Sequence, residues 1–225
     1  MKINQDMLNN AVQGSNQVST SSKIIMEDKS AKKVLFLGNS ITLHEIKPEI
    51  GWHWNWGMAA TSEENDYVHQ VVKGLKKKWG KVNYCITNIG DWETGFWDDK
   101  VFEYERFVKA REFSADVVIV RLGENVSGEK IKEYDFKQRF SEFLDFFTKP
   151  DALLVVTDLF WQYEEIDKMV LEVGEKHGAR LVYLNDLGYD DTNKALGVFE
   201  HYGVSLHPND KGMKAIADRI LEKID

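Results

Sequence analysis

Short apolar runs alternate with longer amphipathic ones along most of the chain. Val34–Leu37, Val82–Ile89, Asp116–Leu122, Ala152–Leu159 and Arg180–Leu184 are brief, β-branched and apolar at nearly every position, which predicts strands covered on both faces. Between them the apolar residues fall three and four apart. In 66–79 they are Tyr67, Val68, Val71, Val72 and Leu75, and in 134–147 Phe136, Phe140, Phe143, Leu144 and Phe147. That spacing predicts helices over 66–79, 98–113, 134–147, 164–177 and 209–223. Five strands alternating with helices imply a parallel sheet between two helical layers, an α/β three-layer sandwich of doubly wound, flavodoxin-like type.

The first 31 residues break the pattern. They are polar, with a Ser/Thr/Asn-rich stretch, and predict a loose N-terminal arm with a short strand near Lys23–Met26, ahead of one domain over 32–225. The segment "GWHWNWG" at 51–57 alternates with period two and suits either a strand or a Trp-rich loop.

With 225 residues the chain can bury a full core without covalent staples. Its net charge of −8 argues against nucleic acid, which needs a basic face. The single cysteine, Cys85, lies in an apolar run and reads as a core residue. No apolar stretch reaches membrane-spanning length, so no membrane partner is expected. The N-terminus lacks the apolar centre of a secretory signal, which leaves a cytoplasmic location as the expectation.

In a doubly wound sheet the residues just past the strands gather at one edge. Here they are Gly38-Asn39-Ser40, Gly90 to Glu93, and Gly123-Glu124-Asn125, joined by His207-Pro208-Asn209 ahead of the last helix. A serine, a histidine, an asparagine and turn amides together make up what acyl transfer needs: a nucleophile, a base and donors for an oxyanion. Each part alone has a plainer reading. Ser40 suits a phosphate contact or a helix cap, Asn125 a turn, and His207 the end of a loop. Other chemistries fit less well. Thr42 occupies the second glycine position of a G-x-S-x-G elbow, and Gly95 is followed by Phe96 where a phosphate loop needs Lys. His44, His53 and His69 lack zinc spacing, so neither metal nor cofactor is expected.

Gly38-Asn39-Ser40-Ile41, Gly123-Glu124-Asn125-Val126 and His207-Pro208-Asn209 with Gly212 resemble the sequence blocks of the SGNH hydrolase superfamily, the GDSL-type esterases. The resemblance implies Ser40 as nucleophile, His207 as general base, and the Asn125 amide with the Ser40 N–H as oxyanion donors. The family's third donor is a glycine amide five residues after the Asn of its second block. Glu93 stands there, with Gly90 close by, so the backbone N–H of one of these is expected to serve. The family also has Asp three residues before His, where this chain has Val204. His207 is therefore expected to be oriented by a main-chain carbonyl in 200–206, or by Glu200.

Trp52, Trp54, Trp56 and Trp92 follow the first two strands and are expected at the rim of the same edge. There they suit stacking on a sugar, walling an acyl pocket, core packing or a homo-oligomer interface. The implied substrate is a small-molecule or carbohydrate ester with a short acyl group, an O-acetyl sugar foremost. A thioesterase or lysophospholipase-like hydrolase is the alternative, as is a non-catalytic SGNH-fold carbohydrate-binding protein.

Overall fold

The computed structural model describes residues 22–224. A six-stranded sheet runs through it, built from β1 (Ser22–Ile25), β2 (Lys32–Gly38), β3 (Val82–Asn88), β4 (Val117–Arg121), β5 (Leu153–Thr157) and β6 (Arg180–Val182). The order is β1-β3-β2-β4-β5-β6. The five expected strands are all parallel, and β1 adds an antiparallel sixth at the edge of β3. Residues 22–31 of the expected arm thus supply an edge strand and the turn into β2. The remainder of that arm, residues 1–21, lies outside the described residues.

The helices are α1 (Tyr67–Trp79), α2 (Gly90–Gly95), α3 (Glu105–Glu112), α4 (Lys130–Glu133), α5 (Phe136–Phe147), α6 (Glu164–Lys176), α7 (Tyr202–Ser205) and α8 (Asp210–Ile224). Strand β2 shows why two helical layers form. Val34 and Phe36 face one core with α1 and α8, while Leu35 and Leu37 face another with Trp92 and the aromatic residues of α5. Successive side chains of a strand point to opposite faces, so an unbroken apolar run must be covered twice.

The single helix expected over 98–113 is two elements. A 3₁₀ turn, Asp99–Glu103, opens with the Asp98 side chain accepting from Lys100 N–H, and the chain becomes extended at Tyr104 before α3 begins. The Trp-rich segment 51–57 is a loop, tied to the chain after β2 by isolated bridges His44–Trp56 and Lys47–Trp52. Asp66 caps α1 by accepting from His69 N–H.

The register sets up the site. Gly38 at the end of β2 is paired with Asn88 of β3 on one side and Arg121 of β4 on the other. The three strands therefore finish level, and the residues that follow them share one edge. Strand β2 is also where the strand order reverses, the place at which open α/β sheets bind ligands.

Candidate active site

Ser40 sits in a tight turn directly past β2. Asn39 C=O accepts from Thr42 N–H at 2.9 Å and Leu43 N–H at 3.0 Å, while Gly38 C=O accepts from Ile89 N–H at 2.7 Å. Only glycine fits at 38, because a Cβ there would overlap Thr42 Oγ1 and lie 2.8 Å from the Arg121 carbonyl oxygen. Ser40 C=O accepts from Met58 N–H at 2.9 Å, which joins the turn to the end of the Trp-rich loop.

His207 arrives from the far end of the chain. Its Nε2 lies 2.8 Å from Ser40 Oγ. Its Nδ1 lies 2.7 Å from Gly203 O. A carbonyl oxygen can only accept, so Nδ1 carries the proton and Nε2 is left as the acceptor for the serine hydroxyl. The short helix α7 makes Gly203 O available. His207 N–H bonds to Val204 O at 3.0 Å, so the Gly203 oxygen is taken by the imidazole. Trp161 stands edge-on to the His207 ring, with centroids 4.9 Å apart, and its indole N–H donates to Leu206 O at 3.3 Å. Burial pushes the His207 pKa down to about 3, against the opposing effect of the Gly203 hydrogen bond.

Beneath the serine lies a buried polar layer. The Arg121 guanidinium donates to both oxygens of Glu124, through Nη1 and through Nη2 at 3.3 Å, and also to Asn39 Oδ1. Asn39 Nδ2 donates to Glu124 Oε2 at 2.8 Å and to Glu93 Oε1 at 3.1 Å. Glu93 Oε1 also accepts from Gly123 N–H at 2.5 Å, and Glu93 Oε2 from Asn125 Nδ2 at 2.5 Å. Phe160 N–H completes the shell of Glu124 at 3.2 Å. Burial, and then the negative charge of Glu124, push the Glu93 pKa up to about 7. Burial works against the charge of Arg121, but Glu124 outweighs it and holds the guanidinium pKa above its ordinary value.

Several expected site residues stand elsewhere than the sequence suggests. The Glu93 and Gly90 amides are not the missing oxyanion donors. Glu93 N–H is spent on Ile89 O at 3.3 Å, because residues 90–95 coil into α2, and Gly90 N–H is taken by Asn88 Oδ1 at 2.8 Å. Glu93 reaches the site through its side chain instead. Glu200 is exposed, and the Gly203 carbonyl occupies the position an orienting acid would need.

Trp92 is wholly buried on the other side of the sheet, 4.6 Å from Phe143 and 6.1 Å from Phe96 between ring centroids. It faces no ligand, because the coiling of α2 turns it into the aromatic core. Trp52 is also fully buried, in a small core with Ile50, Met58 and Val204. Trp56 is half-buried, with its indole N–H on Ala60 O at 3.0 Å. Trp54 alone of the three is presented to solvent, at 38 % exposure.

Sequence reasoning missed Arg121, Trp161 and the side-chain role of Glu93. Arg121 did leave a signal, as the one charged residue inside the apolar run 117–122, with Glu124 three positions on. Trp161 follows β5 and was accessible to the same strand-end rule that picked out Ser40.

No protein-family model matches the chain, and no curated protein matches it. Solved structures do. A two-domain esterase active on acetylated mannans, crystallised with mannopentaose, is similar at 17 % identity and a TM-score of 0.54, over 87 % of this chain and 50 % of that one. This chain thus spans half the length of that esterase. A psychrotrophic esterase from Pseudoalteromonas sp., inhibited by monoethylphosphonate, is similar at 14 % identity and a TM-score of 0.52, over 86 % of this chain and 96 % of that one. A lipase/acylhydrolase from Enterococcus faecalis is similar at 15 % identity and a TM-score of 0.53, over 86 % and 95 %. The chain has the SGNH hydrolase fold, the fold of the GDSL-type lipases and esterases. Among the described residues no helix is long and apolar enough to cross a membrane.

Proposed function

We propose that this protein is a serine ester hydrolase acting on short acyl esters, with O-acetyl groups on a carbohydrate as the substrate class. The observation that carries the reading is the chain Ser40 Oγ–His207 Nε2–His207 Nδ1–Gly203 O, with bonds of 2.8 Å and 2.7 Å. Its tautomer leaves Nε2 free to accept the serine proton. As Ser40 Oγ attacks the acyl carbon, its proton passes to Nε2 and the carbonyl oxygen becomes an oxyanion. The second hydrogen on Asn125 Nδ2 and the Ser40 N–H are its donors. Collapse expels the alcohol, which takes the proton from His207, and water then releases the acid by the same route. The likeness to an esterase active on acetylated mannans and the exposed face of Trp54 support a sugar ester. A non-catalytic carbohydrate-binding protein on the same fold is the second reading, favoured by Asn125 already being held by Glu93.

The test is reaction with a fluorophosphonate probe, with the labelled residue read by mass spectrometry, beside hydrolysis of p-nitrophenyl acetate and octanoate. Labelling at Ser40 and faster acetate turnover are expected, with both lost in Ser40→Ala. A protein that turns over neither ester and leaves Ser40 unlabelled is a binder.

A further inference from the structure

Glu93 occupies a position where the resembled family has glycine, and its fully buried carboxyl bridges three segments of the site. Its oxygens touch Gly123 N–H at 2.5 Å, Asn39 Nδ2 at 3.1 Å and Asn125 Nδ2 at 2.5 Å. All three partners are donors. Such a shell suits a carboxylate, which only accepts, and gives the proton of a carboxylic acid no acceptor among these partners. Asn125 is only half-buried and belongs to a loop, so its amide needs something to hold it. With one Nδ2 hydrogen committed to Glu93 Oε2, the other is fixed in direction.

We propose that the Glu93 carboxylate is a positioning residue that aims Asn125 at the oxyanion, and that protonation of Glu93 releases this hold and lowers turnover. The inference rests on the hydrolase reading of Ser40 and His207. The charged groups facing Glu93 come from the end of β4 and the residues after it. Glu124 repels its charge, while Arg121 is bonded to Glu124 and Asn39 and offsets only part of that repulsion. On its own helix, Asp91 is paired with Arg106. Burial and the charge of Glu124 therefore push the pKa of Glu93 well above the ordinary carboxylate range, up to about 7. As pH falls through that value the carboxyl becomes neutral and its charge-assisted bonds to the amides weaken. Turnover then drops to a lower plateau rather than to zero, since Ser40 N–H and His207 are unaffected.

The experiment is the pH dependence of kcat on p-nitrophenyl acetate for the wild type, Glu93→Gln and Asn125→Ala. Each protein is first checked for fluorophosphonate labelling of Ser40. The wild type should show a step near pH 7. Glu93→Gln should lower kcat at pH 8 by about 10- to 100-fold, the scale for losing a supporting partner, with KM within about twofold. It should also abolish the step. Asn125→Ala should abolish the step too, because no amide is left to aim; this variant keeps the test open if Glu93→Gln fails to fold. A step that persists in either variant, or a Glu93→Gln profile equal to the wild type, overturns the assignment while Ser40 still labels. Absence of labelling in the wild type overturns the hydrolase reading and this inference with it.

Discussion

His207 directs its Nδ1–H at the main-chain oxygen of Gly203, 2.7 Å away, where a Ser-His-Asp site would have a carboxylate. A neutral carbonyl fixes the tautomer but stabilises the imidazolium less than a carboxylate would. Burial outweighs that bond and keeps His207 neutral far into the acid range, to about pH 3. In Glu93→Gln, where the step near neutrality is absent, kcat/KM should stay flat from pH 8 to about pH 4. The ¹⁵N resonances of His207 in the wild type should report a neutral ring over the same span. A ring titrating near 6.5 would contradict the geometry. The sign for stability follows. The unfolded chain takes up the His207 proton first as pH falls below about 6.5, so this residue removes stability on acidification between about 6.5 and 3. His207→Gln should accordingly lose less stability than the wild type between pH 7 and pH 4.5.

Asn125→Ala should lower kcat about 100-fold or more, the scale for losing one oxyanion donor. KM should move by no more than about threefold, because the bond strengthens only as charge develops. A loss confined to KM in steady-state assays would make Asn125 a ground-state binding group.

Val204→Asp puts an acid where the family carries one, but it should not build a triad. Val204 is fully buried beside Trp52, Met58 and Ala59, and the Nδ1–H of His207 is already committed to Gly203. The carboxyl would enter an apolar cluster unpaired. The expected cost is about 3 kcal/mol or more, read from urea unfolding at pH 8 with an unchanged m-value. A stable variant with raised activity would show that the α7 segment can re-form around the acid.

Glu124→Gln leaves the Arg121 guanidinium buried without its carboxylate partner. Removing one member of such a pair should cost about 3–5 kcal/mol. The double variant Arg121→Met/Glu124→Leu should cost clearly less than the sum of its single changes, a coupling that a double-mutant cycle in urea measures directly. Additive effects would mean that the two side chains act independently.

The sheet was readable because its strands are apolar on both faces and its long helices keep period 3.6 cleanly, so local pattern and tertiary packing agree. The misreadings came where they part. The run 98–113 keeps helical spacing through Tyr104, yet the chain there is extended, and side-chain spacing does not report a break in the backbone. The dipeptide Gly90-Asp91 looks like a turn but starts the helix that buries Trp92. The Trp-rich loop carries three identical side chains; both Trp52 and Trp54 meet Phe199, but Trp52 alone is enclosed with Ile50, Met58 and Val204, while Trp54 stays partly in solvent. Ser40 and Asn125 could be singled out because they follow strands whose ends are fixed by topology, and His207 because its His-Pro-Asn stretch leads into the last helix. The direction of the Glu93 side chain depends on α2 coiling, and no spacing rule reports it.

The hydrogen bond from Asn39 Nδ2 to Glu93 Oε1 ties together two of the positions at which this chain departs from the pattern it resembles, one with Asn for Asp and the other with Glu for Gly. Asn39→Asp alone would set three carboxylates, the new one beside those of Glu93 and Glu124, against one guanidinium and remove the donor that Glu93 and Glu124 share. Glu93→Gly alone would leave Gly123 N–H and Asn125 Nδ2 without their acceptor. Each exchange by itself therefore loses bonds that the pair together would not, and the two positions are expected to be coupled. In an alignment of this chain's own descendants and cousins they should change as a pair, Asn with Glu or Asp with Gly, and the mixed combinations should be scarce.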